Sequence, residues 1–272
     1  MISEIPDYND LDGGGEAPQA ALRMEARAQE PMSDAMFRAL VLPLTSADTR
    51  SILELGCGTA SLSRRLARVY HHASIVATDK SRGMLEAARA HLDREGLRNV
   101  QLAEWDVLEE DRFPFKVSRY NLILSSVLVP YLKEAETAGL IRRLVGRLES
   151  GGILAFVEQD LMSDTLFDPT GLARRILAKE DRVIRKTQGL GLRRLVREEG
   201  MKLFPKQSFL WIDERYGAYT RALLGRMADA ARSRGDLTDA ELDRFKETLE
   251  DLARAGDFHY SMTYHLIAGR LF

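Results

Sequence analysis

Three acidic residues and a pair of glycines form the part of this sequence with the most interpretable chemistry. The stretch SILELGCGTASLSRRL places Glu54 in an apolar run and follows it with Gly56 and Gly58. Asp79 ends a second apolar run, SIVATD, and Asp106 lies near the end of a third, NVQLAEWDV. A small-residue turn can present backbone amides to an anion, and a carboxylate after the next strand can accept hydrogen bonds from a ribose diol. The pattern predicts a nucleoside site, with an adenine amine as the partner of Asp106.

The sequence of the glycine turn departs from the pattern of a dinucleotide-binding turn. A dinucleotide turn has the pattern G-x-G-x-x-G, whereas GCGTAS carries Ser61 at the third glycine position. Cys57 lies between the glycines, and the local sequence gives it no partner histidine. We therefore predict a small buried side chain there rather than a nucleophile. Val107, next to Asp106, would offer its backbone amide to an adenine ring nitrogen.

The elements that must position these residues are strand-like runs alternating with helical patterns. The runs are SILELG, SIVATD, NVQLAEWDV, YNLILSS and GGILAFVEQD, and the helix SRGMLEAARAHLDREG begins at a serine cap and ends at a glycine. Alternation at this spacing predicts a parallel sheet that is buried on both faces. In such a sheet, ligands bind beyond the carboxyl ends of the strands, where the acids and glycines lie.

The two ends of the chain differ from this regular middle. Residues 1–20 are predicted to be a mobile arm, and residues 20–42 are predicted to be helical with a break at Pro31. Residues 170–200 are predicted to be helix, interrupted near TQGLG. KQSFLWID and FHYSMTYHLIAGRLF are predicted strands, and the segment between them is helical with a capping box at Thr238 and Glu241.

Four of these motifs, in this order, resemble those of class I S-adenosylmethionine-dependent methyltransferases. LELGCGTA resembles the first motif, ATDKSRGML the second, EWDV the third, and LESGGILAFVEQD the segment around strand five. The resemblance covers roughly residues 49–160. Two positions depart from the family pattern, because Ala60 replaces the third glycine and Asn121 stands where an aspartate is common. The tail, from Gly189 to Phe272, resembles small-molecule methyltransferases of bacterial secondary metabolism and of the ubiquinone or menaquinone type.

The resemblance implies a Rossmann-like α/β fold with a seven-stranded, mostly parallel sheet, helices on both faces and a helical lid between the last two strands. It divides the chain into N-terminal helices that cover the cofactor site (1–48), a core (49–215 and 257–272) and the lid (216–256). The implied cofactor is S-adenosyl-L-methionine, with S-adenosyl-L-homocysteine as the product.

The resemblance also assigns roles within the cofactor site. Glu54 would orient the glycine turn by accepting from its amides, directly or through water. Asp79 would bind the ribose, and Met84 would pack on the adenine. Arg23, with Arg27 and Gln29 as rivals, would pair with the methionine carboxylate. The cofactor-binding residues implied are Arg23, Glu54, Gly56, Gly58, Asp79, Lys80, Met84, Asp106, Val107 and Ser125.

Methyl transfer to oxygen benefits from a base, and carbon methylation can need one to remove a proton afterwards. The candidate catalytic residues are His259, Tyr260 and Glu158, with further candidates at His265, Tyr264 and Asp160. No metal site is predicted, because the adjacent histidines 71 and 72 have no acid or cysteine at ligand spacing.

The function predicted is methylation of a small organic metabolite on oxygen, nitrogen or carbon, in natural-product biosynthesis. Alternatives are a non-reactive use of the cofactor in a cyclase or binding protein, an RNA or protein methyltransferase, and a nicotinamide oxidoreductase. The chain has 39 basic and 41 acidic residues, which argues against a nucleic-acid partner. A run of about 18 apolar residues is missing, so no membrane span is expected. Without a signal-peptide pattern, the predicted location is the cytoplasm. The oligomeric state is left open, a homo-oligomer included.

Overall fold

The computed structural model describes residues 10–109, 119–178 and 189–272, and its centre is one twisted sheet. The parallel strands are β1 (Ser51–Leu55), β2 (Ser74–Asp79), β3 (Val100–Glu104), β4 (Tyr120–Ser126) and β5 (Leu148–Leu166). They are followed by β6 (Lys202–Leu203), β7 (Gln207–Asp213) and β8 (Tyr260–Arg270). The strand order is β3-β2-β1-β4-β5-β8-β6, and β7 also pairs with β8. The order reverses beside β1, which places a ligand-binding crevice at the carboxyl ends of β1 and β4.

Helices cover both faces of this sheet, as the apolar runs predict. One face packs against α3 (Ser61–Val69), α4 (Arg82–Glu95) and the helices near the two chain ends. The other face packs against α5 (Glu134–Val145) and α7 (Gly189–Glu198). A short helix, α6 (Ala173–Ile176), lies between β5 and α7. The predicted interruption near TQGLG begins within residues 179–188, which are outside the described residues.

The described sheet has eight strands rather than the seven expected. β6 pairs Lys202 with Arg270, and β7 pairs Gln207 with Leu266, both antiparallel to β8. The two segments differ by one residue in register along the same partner strand, so they are one edge strand interrupted at residues 204–206. An irregularity of this kind breaks the ladder locally without changing the order of the sheet.

The N-terminal region is more ordered than predicted. Helices α1 (Ala17–Gln29) and α2 (Pro31–Met36) meet at Pro31, which confirms the break. Residues 10–16 do not behave as a free arm, because Leu11 is buried and Asp12 accepts hydrogen bonds from the first turn of α4. The glycine-rich composition misled the prediction, since the turn is held by one capping acid, Asp12, and by one apolar side chain, Leu11, which packs in a small cluster with Met84. Residues 1–9 are outside the described residues.

Two helices lie between β7 and β8, where the lid is predicted. They are α8 (Ala218–Arg234) and α9 (Asp239–Ala255), and α9 begins with the predicted capping box of Thr238 and Glu241. Their buried faces join the same core cluster as the inner face of β8. No helix within the described ranges is long and apolar enough to cross a membrane.

Candidate functional site

The glycine turn after β1 has a left-handed backbone. Gly56, Gly58 and Ala60 have φ values of 60°, 54° and 57°. Alanine in this region is uncommon, and Ala60 is fully buried, so packing holds it there. The Cys57 amide donates to the carbonyl of Thr78 at 2.8 Å, which ties the turn to β2. The Cys57 thiol is buried and its pKa is raised by that burial, which fits a packed side chain rather than a nucleophile.

Asp79 lies at the end of β2 and organises the turn beside it. Its Oδ2 accepts from the Gly58 amide at 2.8 Å and its Oδ1 from the Ser81 amide at 3.0 Å. Burial raises the pKa of Asp79, and the amide hydrogen bonds only partly offset this. A carboxylate oxygen has room for a second donor, so a ribose diol can bind Asp79 while both amide contacts persist.

Glu54 acts on a different element from the one predicted. Its Oε2 accepts from the Ser63 amide at 2.9 Å and from the Ser63 hydroxyl, and no glycine-turn amide reaches it among its hydrogen bonds in the described residues. Burial raises the pKa of Glu54 to about 7. The carboxyl therefore fixes the first turn of α3, and it orients the glycine turn only through the helix that follows.

A cavity of about 290 Å³ opens at the carboxyl ends of the strands, between the sheet and the N-terminal helices. It continues from the second and third strands to α8. Most of the predicted cofactor-binding residues line it, namely Arg23, Glu54, Gly56, Asp79, Lys80, Met84, Asp106 and Val107. Trp105, which the sequence reasoning did not single out, lines the same end. The structure thus brings the predicted nucleoside residues together around one space.

Ser125 does not face this cavity, and its neighbour Ser126 does. In the parallel register Ser125 lies beside Leu55 and Phe156, whose side chains pack on the opposite face of the sheet. Successive residues of a strand point to opposite faces, so a one-residue shift moves the side chain from one face to the other. Because β4 extends to Ser126, the side chain of Ser126 lies on the cavity face, and the assignment of Ser125 to that face was wrong by one position.

Arg23 provides a test of whether the cavity suits the cofactor. It projects from α1 into the cavity, and its Nε and one terminal nitrogen are buried without a hydrogen-bond partner among the described residues. A buried guanidinium nitrogen that lacks an acceptor is costly unless a ligand supplies one. The methionine carboxylate of the cofactor is an acceptor of the right charge, so the residues present fit the group.

The three predicted catalytic residues lie away from the cavity. His259 precedes β8, and its carbonyl accepts from the Phe167 amide at 3.0 Å. The Tyr260 hydroxyl donates to Asp164 at 2.8 Å within the core. None of His259, Tyr260 and Glu158 belongs to the described residues that line the cavity.

Glu158 sits behind the loop that follows β4. Its Oε1 accepts from the Val129 amide at 3.4 Å, and its Oε2 has no hydrogen-bond partner within the described ranges. Burial raises the pKa of Glu158 to about 8. It is therefore largely protonated at neutral pH, and it supports the loop from the side opposite the cavity. The further candidate His265 also lies on the opposite face, with Ser208 Oγ 2.8 Å from its Nδ1 and Asp160 Oδ2 3.7 Å from its Nε2.

The far end of the cavity holds three polar residues that the sequence reasoning missed, Gln159, Tyr219 and Arg226, beside Arg27, which it named as a rival for the methionine carboxylate. The Arg27 guanidinium carbon lies 5.0 Å from the centre of the Tyr264 ring, and the Tyr264 hydroxyl donates to Gln159 at 3.4 Å. Arg27, Gln159, Tyr219 and Arg226 line the cavity there, among apolar side chains that include Phe37, Val41, Leu223 and Met227. They come from α1, β5 and α8, which are far apart in sequence. For the part of this wall on α8, the sequence signal was the richness of residues 215–265 in methionine and aromatic side chains, which is compatible with an apolar acceptor pocket.

The sheet order, the glycine turn and the acids at the ends of β2 and β3 define a class I S-adenosylmethionine-dependent methyltransferase fold. Residues 52–152 match the family described as "Methyltransferase domain". The chain therefore contains a class I methyltransferase domain, and the cofactor of this class is S-adenosylmethionine.

Individual relatives share part of the chain. Trans-aconitate 2-methyltransferase of Delftia acidovorans is 31% identical over 143 residues, which cover 53% of this chain and 48% of that protein. Malonyl-acyl-carrier-protein O-methyltransferase of Acetivibrio thermocellus is 32% identical over 48% of this chain and 42% of its own. The chain thus spans about half the length of these curated relatives.

Solved structures share the fold over a longer range. An O-methyltransferase family protein from Burkholderia thailandensis has a TM-score of 0.57 at 16% identity, covering 94% of this chain and 59% of that one. A phosphoethanolamine N-methyltransferase of Haemonchus contortus, in complex with S-adenosylhomocysteine, has a TM-score of 0.55 at 13% identity and covers 100% and 60%. These similarities extend the fold assignment beyond the matched domain to the N-terminal helices and the last strands.

Proposed function

We propose that this protein transfers the methyl group of S-adenosylmethionine to a small organic acceptor. The observation that carries the proposal is the continuity of the cavity. A single space joins the residues suited to a nucleoside, Asp79 and Asp106, to a mostly apolar wall on α8. Such an arrangement places a methyl donor and an acceptor next to each other, away from bulk water.

In this proposal the chain's own residues bind the cofactor at three points. Asp79 accepts from the ribose hydroxyls, Asp106 and the Val107 amide meet the adenine, and Arg23 pairs with the carboxylate. When bound, the cofactor would supply an electrophilic methyl group to a lone pair of the acceptor, and the electrons of the broken C–S bond would stay on sulfur. The protein's task is then to hold the acceptor in line and keep water out.

The acceptor end of the cavity suits positioning better than histidine-based catalysis. Tyr219, Gln159 and Arg27 place polar groups within an apolar wall, and no histidine lines the cavity within the described residues. We propose that α8 and α9 act as the lid that covers the acceptor. Near-attack positioning and exclusion of water are then the main sources of rate.

The acceptor class is proposed only as a small organic molecule. The matched relatives are named for trans-aconitate and for a malonyl-acyl-carrier protein, and this chain spans less than half of either. A role in natural-product biosynthesis is part of the proposal and depends on the resemblance of the last third of the chain. The cytoplasmic location stays a prediction.

The test is isotope transfer. The purified protein is incubated with methyl-labelled cofactor and a fractionated metabolite extract, and products are sought by mass spectrometry as a gain of one CH₂ unit. Asp79→Ala protein serves as the control without a ribose contact. Label in a small molecule, dependent on the protein, supports the proposal. Label only in RNA or protein, or cofactor binding without any transfer across extracts from several sources, contradicts it.

A further inference from the structure

The segment that covers the cavity, residues 10–29, is attached to the core by two acidic side chains. We call it the covering segment; it comprises the turn 10–16 and α1. At its start, Asp12 accepts from the Ser81 hydroxyl at 2.7 Å and from the Arg82 amide at 2.8 Å. Desolvation alone would raise the pKa of Asp12, but the hydrogen bonds outweigh it and hold that pKa below its ordinary value. The first turn of α4 thus fixes the start of the segment.

Glu25, at the middle of α1, provides the second attachment. Its Oε1 accepts from the Thr59 hydroxyl and from Arg64, both at 2.5 Å, and its Oε2 lies 3.5 Å from Nε2 of His91. The Glu25 and Arg64 side chains are only 12% and 7% exposed, so solvent screens this ion pair weakly. Arg64 also binds Glu95. Because Thr59 directly follows Gly58, Glu25 joins α1 to the glycine turn itself.

The two residues before Glu25 face the cofactor site. A Cβ at Gly58 would lie 2.4 Å from the sulfur of Met24, so Met24 is packed directly against the turn. Arg23 reaches into the cavity with two buried nitrogens that have no hydrogen-bond partner in the part of the chain that the structure describes. The nearby Glu25 is engaged with Thr59 and Arg64 and does not neutralise Arg23. The charge of Arg23 therefore remains available to a ligand.

We infer that Glu25 is a positioning residue, which fixes the register of α1 so that Arg23 recognises the carboxylate of the cofactor. This inference rests on the proposed function. An arginine on an unattached helix would lose conformational entropy when the ligand orders it. The attachment at Glu25 orders the helix before binding and so reduces that entropic cost. Recognition of the amino-acid end of the cofactor is then built on α1, whereas recognition of the nucleoside end is built on the sheet.

The experiment compares two ligands that differ only in the carboxylate, S-adenosylhomocysteine and its decarboxylated form. Calorimetry gives the ratio of their affinities for the wild type, Arg23→Ala, Glu25→Ala and Glu25→Gln. We expect the wild type to prefer the carboxylate form by about 10- to 100-fold. In Arg23→Ala and Glu25→Ala the two affinities should differ by no more than about threefold, because the affinity for the decarboxylated form changes much less. Glu25→Gln should give an intermediate ratio.

Two controls separate positioning from a general loss of structure. Glu16→Ala removes an exposed acid at the start of the same helix and should leave the ratio unchanged. Asp79→Ala should weaken both ligands equally, which also leaves the ratio unchanged. Thermal unfolding confirms that each variant is folded.

The outcomes are distinct. A wild-type ratio near one, with both ligands bound, overturns the role of Arg23 and leaves the cofactor assignment intact. An unchanged ratio in folded Glu25→Ala protein overturns the role of Glu25. Failure of the wild type to bind either ligand overturns the proposed function together with this inference. A selective loss of the preference in Arg23→Ala and Glu25→Ala supports it.

Discussion

The amide of Gly58 donates a hydrogen bond of 2.8 Å to Oδ2 of Asp79, so the glycine turn after β1 and the acid at the end of β2 form one unit. The turn needs its left-handed backbone to aim that amide, and burial raises the pKa of Asp79 while the amide hydrogen bond acts in the opposite direction. A change at either residue is therefore expected to disturb the other, and both together shape the ribose end of the cavity.

Asp79→Ala should weaken S-adenosylhomocysteine binding by about 30- to 1,000-fold. The variant loses two charge-assisted hydrogen bonds to the ribose, worth roughly 2–4 kcal/mol together. Isothermal calorimetry measures the effect, and Glu104→Ala, at the exposed end of β3, is the matched control. A change below about threefold in a folded Asp79→Ala protein would show that the ribose lies elsewhere.

Gly58→Val should give a folded protein that does not bind the cofactor. The new Cβ would lie 2.4 Å from the Met24 sulfur, and the φ of 54° is unfavourable for a branched side chain. Calorimetry with S-adenosylhomocysteine and circular dichroism together make the test. Gly225→Ala, in α8 with open space around its Cβ, should change neither binding nor fold. Retained binding in Gly58→Val would mean that the turn only connects strand to helix.

Glu158→Gln should change how stability depends on pH. The folded pKa of about 8 is above the ordinary 4.5, so the stabilisation from Glu158 is fully present below about pH 4.5. This stabilisation is lost as the pH rises from about 4.5 to about 8, because in that range the carboxyl is ionised in the unfolded chain and still protonated in the folded protein. The amide of Glu158→Gln does not titrate. As the pH rises across that range, the free energy of unfolding of the variant should therefore increase by up to about 5 kcal/mol relative to that of the wild type.

Urea unfolding of both proteins, at about pH 5 and about pH 8.5, measures the difference for Glu158→Gln. Glu54, with a pKa of about 7, titrates in both proteins and cancels in the comparison. If the difference in free energy of unfolding between the variant and the wild type does not grow with pH, Glu158 is solvated or paired in solution.

Tyr219→Phe should lower kcat/KM on the acceptor, once one is known, by about fivefold or more, because one hydrogen bond to the bound acceptor is worth about 1 kcal/mol. His259→Ala should leave turnover within about threefold, since His259 does not line the cavity. S-adenosylhomocysteine affinity should be unchanged in both variants. The reverse result, with His259→Ala inactive and Tyr219→Phe normal, would return the histidine to a catalytic role and imply a rearrangement of β8.

Local sequence determined the cofactor half of this site. The order of short apolar runs, each followed by a glycine turn or an acid, requires a parallel sheet whose carboxyl ends share one edge. That requirement alone brings Asp79, Asp106 and the turn together. The break at Pro31 and the start of α9 at Thr238 are equally local, because proline geometry and a capping box act within one turn of helix.

Tertiary structure decided everything that depends on which face or which distant element a side chain meets. Ser126 replaces Ser125 because a strand alternates between faces, and the exact end of β4 is set by its neighbours. Glu25 and Asp12 acquire partners on α3 and α4 that lie far along the chain, so a composition that suggests a mobile arm becomes an attached cover. The acceptor wall joins Arg27, Gln159 and Tyr219 from three elements, and no spacing in the sequence encodes that contact. Long-range packing fixes these positions, and local sequence patterns carry no information about contacts between residues that are distant in the chain.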